Sequence, residues 1–170
     1  MARIAFVVGP EYEDSEFERP YNSLREDGHE CVVIGTEAGE ELSGKRGNSS
    51  VTVDATVDAV NLDEFDALVV PGGYSPDKLR LDGGIVEFTR KFVQSDKPVA
   101  AICHAGQLLS EAEVVEGKRM TSWPSVRKEL ELGGADWVDE EVVVDGNLIT
   151  SRGPDDLPAF VGAIRKHLAR

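Results

Sequence analysis

Residues 98 to 109, PVAAICHAGQLL, limit what this chain can fold into more than any other stretch. Pro98 to Ile102 are mostly apolar and few, the pattern of a short buried strand. Cys103 and His104 follow without a spacer. Ala105 and Gly106 then open a stretch, QLLSEAE, that reads as a helix. A strand that turns straight into a helix with a nucleophile at the corner is a nucleophile elbow. Such a corner lifts the sulfur out of the sheet and aims the first amides of the helix at it, which favours the thiolate. Small residues at 101, 105 and 106 let the backbone pass tightly there. The expectation is an exposed, ionisable Cys103. Cys31, inside the apolar run CVVI, reads as a small buried hydrophobe with no role.

The rest of the chain supplies the frame for this corner. Residues 2 to 8 and the run ECVVIG read as strands, separated by a helical pattern to about Asp27 in which Pro20 predicts a kink or a restart. The stretch ELSGKRGNSSVTVDATV reads as an irregular hairpin turning at Gly44 and Gly47. Ala67 to Val70 form a further strand, broken by Pro71-Gly72-Gly73. Residues 83 to 95 are a helix with Ile85, Phe88, Phe92 and Val93 on one side. Pro124 opens a short helix to Leu132, EEVVVDGNLITS is a second hairpin turning at Asp145-Gly146, and residues 155 to 169 close the chain as an amphipathic helix. Short apolar strands alternating with helices mean an α/β layered fold with a mostly parallel sheet. In such sheets the site lies beyond the carboxyl ends of the strands. Three loops should therefore meet at one edge: Gly9 to Asp14, Pro71 to Asp77, and Cys103 to Gly106.

Each loop brings chemistry to that edge. The first region offers Glu11, Glu13, Asp14 and Glu16, any of which could share a proton with the sulfur. In the second, adjacent glycines let a backbone amide approach a ligand closely, so the N–H of Gly73, with that of His104, could form an oxyanion hole. His104 can meet the sulfur at the elbow but needs an orienting partner to act as a base, and Asp77 is a candidate. His29, in a turn, and His167, near the end of the chain, read as solvated.

Composition narrows the partners. The 170 residues suit one domain spanning 1 to 170. With 32 acidic against 18 basic residues the net charge is −14, and no basic patch is visible for nucleic acid or an anionic membrane. No secretory signal pattern or spanning apolar run is present in the sequence, so the expected location is the cytoplasm. Two cysteines make neither a disulfide framework nor a metal-ligand spacing. The acidic excess, with only 7 of the 18 basic residues lysine, suggests a cytoplasm rich in salt.

Taken together, EYED at 11 to 14, VVPGGYSPD at 69 to 77, AICHAG at 101 to 106, TSWP at 121 to 124 and ITSRGP at 149 to 154 resemble the PfpI family of intracellular cysteine proteases. That family lies in the class I glutamine-amidotransferase-like superfamily of the Parkinson-disease protein. The resemblance covers nearly the whole chain. It implies a flavodoxin-like three-layer sandwich and a nucleophile that maps to Cys103. It implies a carboxyl beside the sulfur, mapping to Glu13, and an acid from a neighbouring subunit on His104, mapping to Asp77, where close relatives carry glutamate. Trp123, where relatives often have tyrosine, would wall a pocket with Gly72. Dimers or hexamers built from dimers are implied, and no cofactor. The activities implied are glyoxalase, protein or nucleotide deglycase, peptidase and holding chaperone. Chemistry on small reactive carbonyls such as methylglyoxal leads, because a proton-carrying carboxyl beside a sulfur suits it. Peptide hydrolysis calls for a well-oriented imidazole. A stress holdase or an oxidation sensor is the reading from another class.

Overall fold

The computed structural model describes residues 1–169. In chain order the strands and helices are β1 (Arg3–Val7), α1 (Asp14–Glu26), β2 (Glu30–Ile34), β3 (Glu41–Ser43), β4 (Ser50–Thr52), β5 (Ala67–Val70), α2 (Ser75–Leu79), α3 (Gly83–Gln94), β6 (Val99–Ile102), α4 (Gly106–Glu111), β7 (Arg119–Met120), α5 (Arg127–Leu132), β8 (Asp136–Trp137), β9 (Val143–Asp145), β10 (Leu148–Ser151) and α6 (Leu157–Leu168). Six strands form the central sheet in the order β2-β1-β5-β6-β10-β9. All its pairings are parallel except the β9–β10 hairpin at the edge.

The alternation of side chains along each strand divides the core in two. Ile4, Phe6, Val33, Val69, Ala100 and Ile149 point to the side of α1 and α6, where they meet Phe17, Leu24, Phe160 and Ile164. Ala5, Val7, Ile34, Leu68, Val70 and Val99 point the other way, onto Ile85, Phe92, Leu108 and Leu130 of α3, α4 and α5. These runs are mostly apolar because both faces of a parallel sheet are covered. Each large side chain buried this way contributes about 1.5–3 kcal/mol.

Several expectations change. Helix α1 runs through Pro20 without a break. The proline's missing N–H costs the helix one bond, and the ring instead packs inward, buried on the same face as Leu24. Strands β7 and β8 pair as a separate two-residue parallel ladder, too short to show in any periodicity. His29 and His167 are half-buried rather than solvated: Nδ1 of His29 accepts the Ala2 N–H at 2.9 Å, and Nδ1 of His167 lies 2.8 Å from the Ala163 carbonyl. Among the described residues no helix is long and apolar enough to cross a membrane.

Strand order reverses beside β1: the chain goes from β1 to β2 on one side, then returns to β5 on the other. Such a switch point opens a crevice at the carboxyl ends of the strands. The loops after β1, β5 and β6 all empty into it. Tyr12 and Gly73 join the first two by an antiparallel bridge, with the Glu13 N–H on the Gly72 carbonyl at 3.1 Å and the Tyr74 N–H on the Glu11 carbonyl at 2.9 Å.

Candidate active site

Cys103 ends β6 and adopts φ +63°, a left-handed conformation that costs a non-glycine residue about 1–2 kcal/mol. A single 3-10 turn, Cys103–Ala105, carries the chain into α4. The elbow expected from the sequence is present, and it turns the His104 amide back onto the sulfur. The Gly73 amide reaches the sulfur from the other side. Gly73 can do so because it sits at φ +79° and lacks a side chain: a Cβ there would lie 2.3 Å from the Glu13 nitrogen. At Gly72 a Cβ would lie 2.7 Å from the Cβ of Cys103. Both glycines are demanded by the close approach of two loops to one sulfur.

Two expectations about this sulfur are corrected. Cys103 is not broadly exposed, since the residue keeps 6 % of its surface. The carboxyl beside it is Glu16, not Glu13. Glu13 stands just before α1, where its side chain is taken by the β3–β4 hairpin, with Lys45 Nζ at 3.0 Å and Arg46 Nε at 2.7 Å. Glu16 lies on the inward stripe of α1 with Pro20 and Leu24, fully buried, and that stripe aims it at the sulfur. The spacing 16, 20, 24 is a helical period, so this placement was readable from the sequence.

The electrostatics follow from that pairing. Burial, aided by the negative charge of Glu13, pushes the Glu16 carboxyl up to about 8. Its Oε1 accepts the Gly72 N–H at 2.9 Å. Its Oε2 is buried and accepts no hydrogen bond, as suits an oxygen that carries a proton. For Cys103, burial pushes the thiol up and a charged Glu16 would push it further, while the amides of Gly73 and His104 pull it down. At neutral pH Glu16 keeps its proton, so that repulsion is absent and a donor faces the sulfur in its place. The net direction for Cys103 is upward, because burial outweighs the two amides; a negative charge on sulfur would be met by those amides, the neighbouring carboxyl and the field of Lys45. On Glu16 it would be met by the Gly72 amide, the Cys103 thiol and the charge of Lys45.

His104 is half-buried, with Nδ1 3.2 Å from the sulfur. Its ring stacks on Trp123 at a centroid distance of 6.3 Å. Burial, then the charge of Lys45, hold the imidazole below its ordinary value, while the charge of Asp77 works the other way. Within the chain, Asp77 is exposed on α2 and makes no hydrogen bond to His104 among the described residues; the second ring nitrogen faces Ser125 instead. Sequence reasoning missed Ser125, Lys45 and Arg46, which come from segments remote in sequence from the elbow. Trp123 is 43 % exposed and walls a cleft of about 530 Å³ with Arg46, Pro124 and Arg152; contrary to the expectation of a pocket shared with Gly72, neither Gly72 nor Cys103 lines it. A thiol flanked by two amide donors, a buried carboxyl and an imidazole can add to a carbonyl carbon and move the protons that follow.

Known proteins show the same arrangement of chain and fold. The model of the DJ-1/PfpI family matches residues 2–167. The chain is 50 % identical over 159 residues to general stress protein 18 of Bacillus subtilis, covering 93 % of this chain and 92 % of that one. It is 50 % identical over the same length, with the same coverage, to protein/nucleic acid deglycase 2 of Escherichia coli. Among solved structures, Drosophila melanogaster DJ-1beta superposes with a TM-score of 0.90 at 32 % identity, over 99 % of this chain and 90 % of that one. With half its residues shared with such relatives and its sheet order and elbow in place, the chain belongs to the DJ-1/PfpI family.

Proposed function

We propose that the protein is a cysteine-dependent enzyme acting on reactive carbonyls, a deglycase with cofactor-independent glyoxalase chemistry, in stress protection. The observation that carries this reading is the buried Glu16 carboxyl, held near pH 8 against Cys103. A group with that pKa gives and takes protons readily at physiological pH. The names of the two bacterial relatives, a deglycase and a general stress protein, point the same way.

With methylglyoxal, the sulfur adds to the aldehyde carbon and the C–S bond forms as the C=O π bond opens. The developing oxyanion lies within reach of the Gly73 and His104 amides. Glu16 delivers its proton to that oxygen, giving the hemithioacetal. As a carboxylate it then takes the hydrogen of the former aldehyde carbon as a proton while the ketone oxygen gains a proton, giving an enediol. The proton returns to the adjacent carbon as the hydroxyl on the sulfur-bearing carbon gives up its own, so the oxygen-to-oxygen transfer nets to zero. The result is a thioester of lactate, with one carbon oxidised and its neighbour reduced. Water cleaves the thioester, releasing lactate and the thiol. Water is the only co-reactant, and no cofactor enters. The same addition, made to an early adduct of an amine or thiol, would let the amine or thiol leave.

A peptidase is the second reading, favoured by the 3.2 Å contact between His104 and the sulfur. It would gain from an acid on the imidazole, which Asp77 of another copy in a dimer or hexamer could supply. Purified protein and Cys103→Ala distinguish the outcomes. Lactate formed from methylglyoxal by the first and not the second is expected. Equal rates, or cleavage of a protein digest substrate with no lactate, would overturn the carbonyl reading.

A further inference from the structure

Besides the sulfur, the His104 ring has one hydrogen-bonding neighbour among the described residues, and it comes from its own chain. The 3-10 turn Pro124–Val126 follows Trp123, whose N–H is tied to the Cys103 carbonyl at 3.1 Å. That tie sets the turn against the elbow. Ser125 is its middle residue, and its Oγ lies 3.4 Å from Nε2 of His104. On the other side of the ring, Nδ1 lies 3.2 Å from the sulfur. The ring therefore bridges a buried sulfur and a solvent-exposed hydroxyl, with the Trp123 indole stacked on its face.

We propose that Ser125 is the positioning residue of His104, and that Cys103, His104 and Ser125 form a proton path between the sulfur and solvent. The inference rests on the carbonyl reading for its role in turnover, but not for the existence of the path. A hydroxyl both donates and accepts. When Nδ1 is bare and accepts from the thiol, Nε2–H donates to Oγ. When Nδ1–H donates to a thiolate, Nε2 accepts from the serine hydroxyl. Ser125 holds the ring in either tautomer, whereas a carboxylate can only accept and would fix one. The transfer balances: the thiol proton moves to Nδ1, the Nε2 proton to Oγ, and the hydroxyl proton to water, leaving the ring neutral. The charged and titratable groups around the ring agree with a neutral imidazole. Lys45 from the hairpin opposes a positive ring, Asp77 from α2 favours one from a distance, and Cys103 completes the set.

The test is Ser125→Ala, Ser125→Thr and Ser125→Asp, each read in two ways on the full chain. Position 125 is exposed, so folding is not at issue, and circular dichroism checks it. In turnover of methylglyoxal, Ser125→Ala is expected to lose about tenfold or more in kcat with KM unchanged, and Ser125→Thr to recover most of that loss. In nitrogen-15 spectra of labelled histidine, Ser125→Ala should alter the tautomer populations of His104. Ser125→Asp should raise its titration midpoint and move the pH profile of Cys103 alkylation. Unchanged kcat, unchanged His104 spectra and an unchanged alkylation profile in Ser125→Ala would overturn the proposal. If the wild-type protein turns over no carbonyl substrate, the function falls instead, while the spectra and the alkylation profile still decide the role of Ser125.

Discussion

Replacing Glu16 by glutamine separates the proton on this carboxyl from everything else in the site. The amide side chain keeps the shape of the carboxyl and an oxygen for the Gly72 N–H, which lies 2.9 Å from Oε1 of Glu16. What the substitution removes is the ability to ionise. Glutamate in an unfolded chain loses its proton near 4.5, and burial with the Glu13 charge holds it in the folded protein to about 8. Between those values the folded protein keeps a proton that the unfolded chain has released. Stability from this group is therefore complete below pH 4.5 and is lost as the pH rises through about 8. At 1.36 kcal/mol per pH unit the loss approaches about 5 kcal/mol by pH 9. Glu16→Gln escapes it. The assay is urea denaturation of both proteins from pH 4 to 9, read as the difference between them so that other titrations cancel. The two should coincide near pH 4. By pH 9 the variant should lead by about 2 M in midpoint, for a slope of roughly 2–3 kcal/mol per molar. Profiles that stay parallel across the range would show that folding leaves the Glu16 carboxyl at its ordinary value, ionised at neutral pH, and the donor assigned to it would be gone. Turnover carries the same signature: wild-type kcat should fall as pH rises through about 8, and Glu16→Gln should be inactive rather than shifted.

Two further outcomes test the frame. Gly73→Ala forces a Cβ to within 2.3 Å of the Glu13 nitrogen at a φ of +79°, so thermal melting should show a loss of at least about 2 kcal/mol together with the loss of activity. A glycine replaced without cost would mean the Gly73 amide is not fixed on the sulfur. The net charge of −14 should make the melting temperature rise along a salt series, and flat or falling stability would remove the reading of a salt-rich habitat.

Much of this architecture was legible because its signals are local. Helices α3 and α6 showed their apolar faces through spacing, and their bounds fall within about two residues of expectation. The elbow was legible because Val99 to Ile102 leave no residue to spare before Cys103. Hairpin β3–β4 was legible from Gly44 and Gly47, but its purpose was not. Nothing near Lys45 and Arg46 says that they will grip a carboxylate more than thirty residues earlier. That grip is what removes Glu13 from the sulfur and leaves Glu16 there. Position 16 could have been preferred, since it shares a face with Pro20 and Leu24, yet in a chain this acidic a carboxylate on an apolar stripe is easily taken for surface. Ser125 gave no signal at all. Its contact with His104 depends on how the chain leaves β7, an element of two residues that no pattern reveals. Exposure of the sulfur was misjudged for a related reason: an elbow lifts the nucleophile from the sheet, but the neighbouring loops decide how much they cover, and here they leave 6 %.

The chemistry assigned to this chain requires that the Cys103 sulfur react ahead of an ordinary buried thiol. Labelling by iodoacetamide at pH 7, followed for both cysteines in one sample by mass spectrometry, measures this directly. Cys31 is the internal reference, since burial pushes its thiol up to about 11 with no donor or base assigned to it. Cys103 should be alkylated at least about tenfold faster despite its deeper position. Labelling of Cys103 at the rate of Cys31, or slower, would contradict the account.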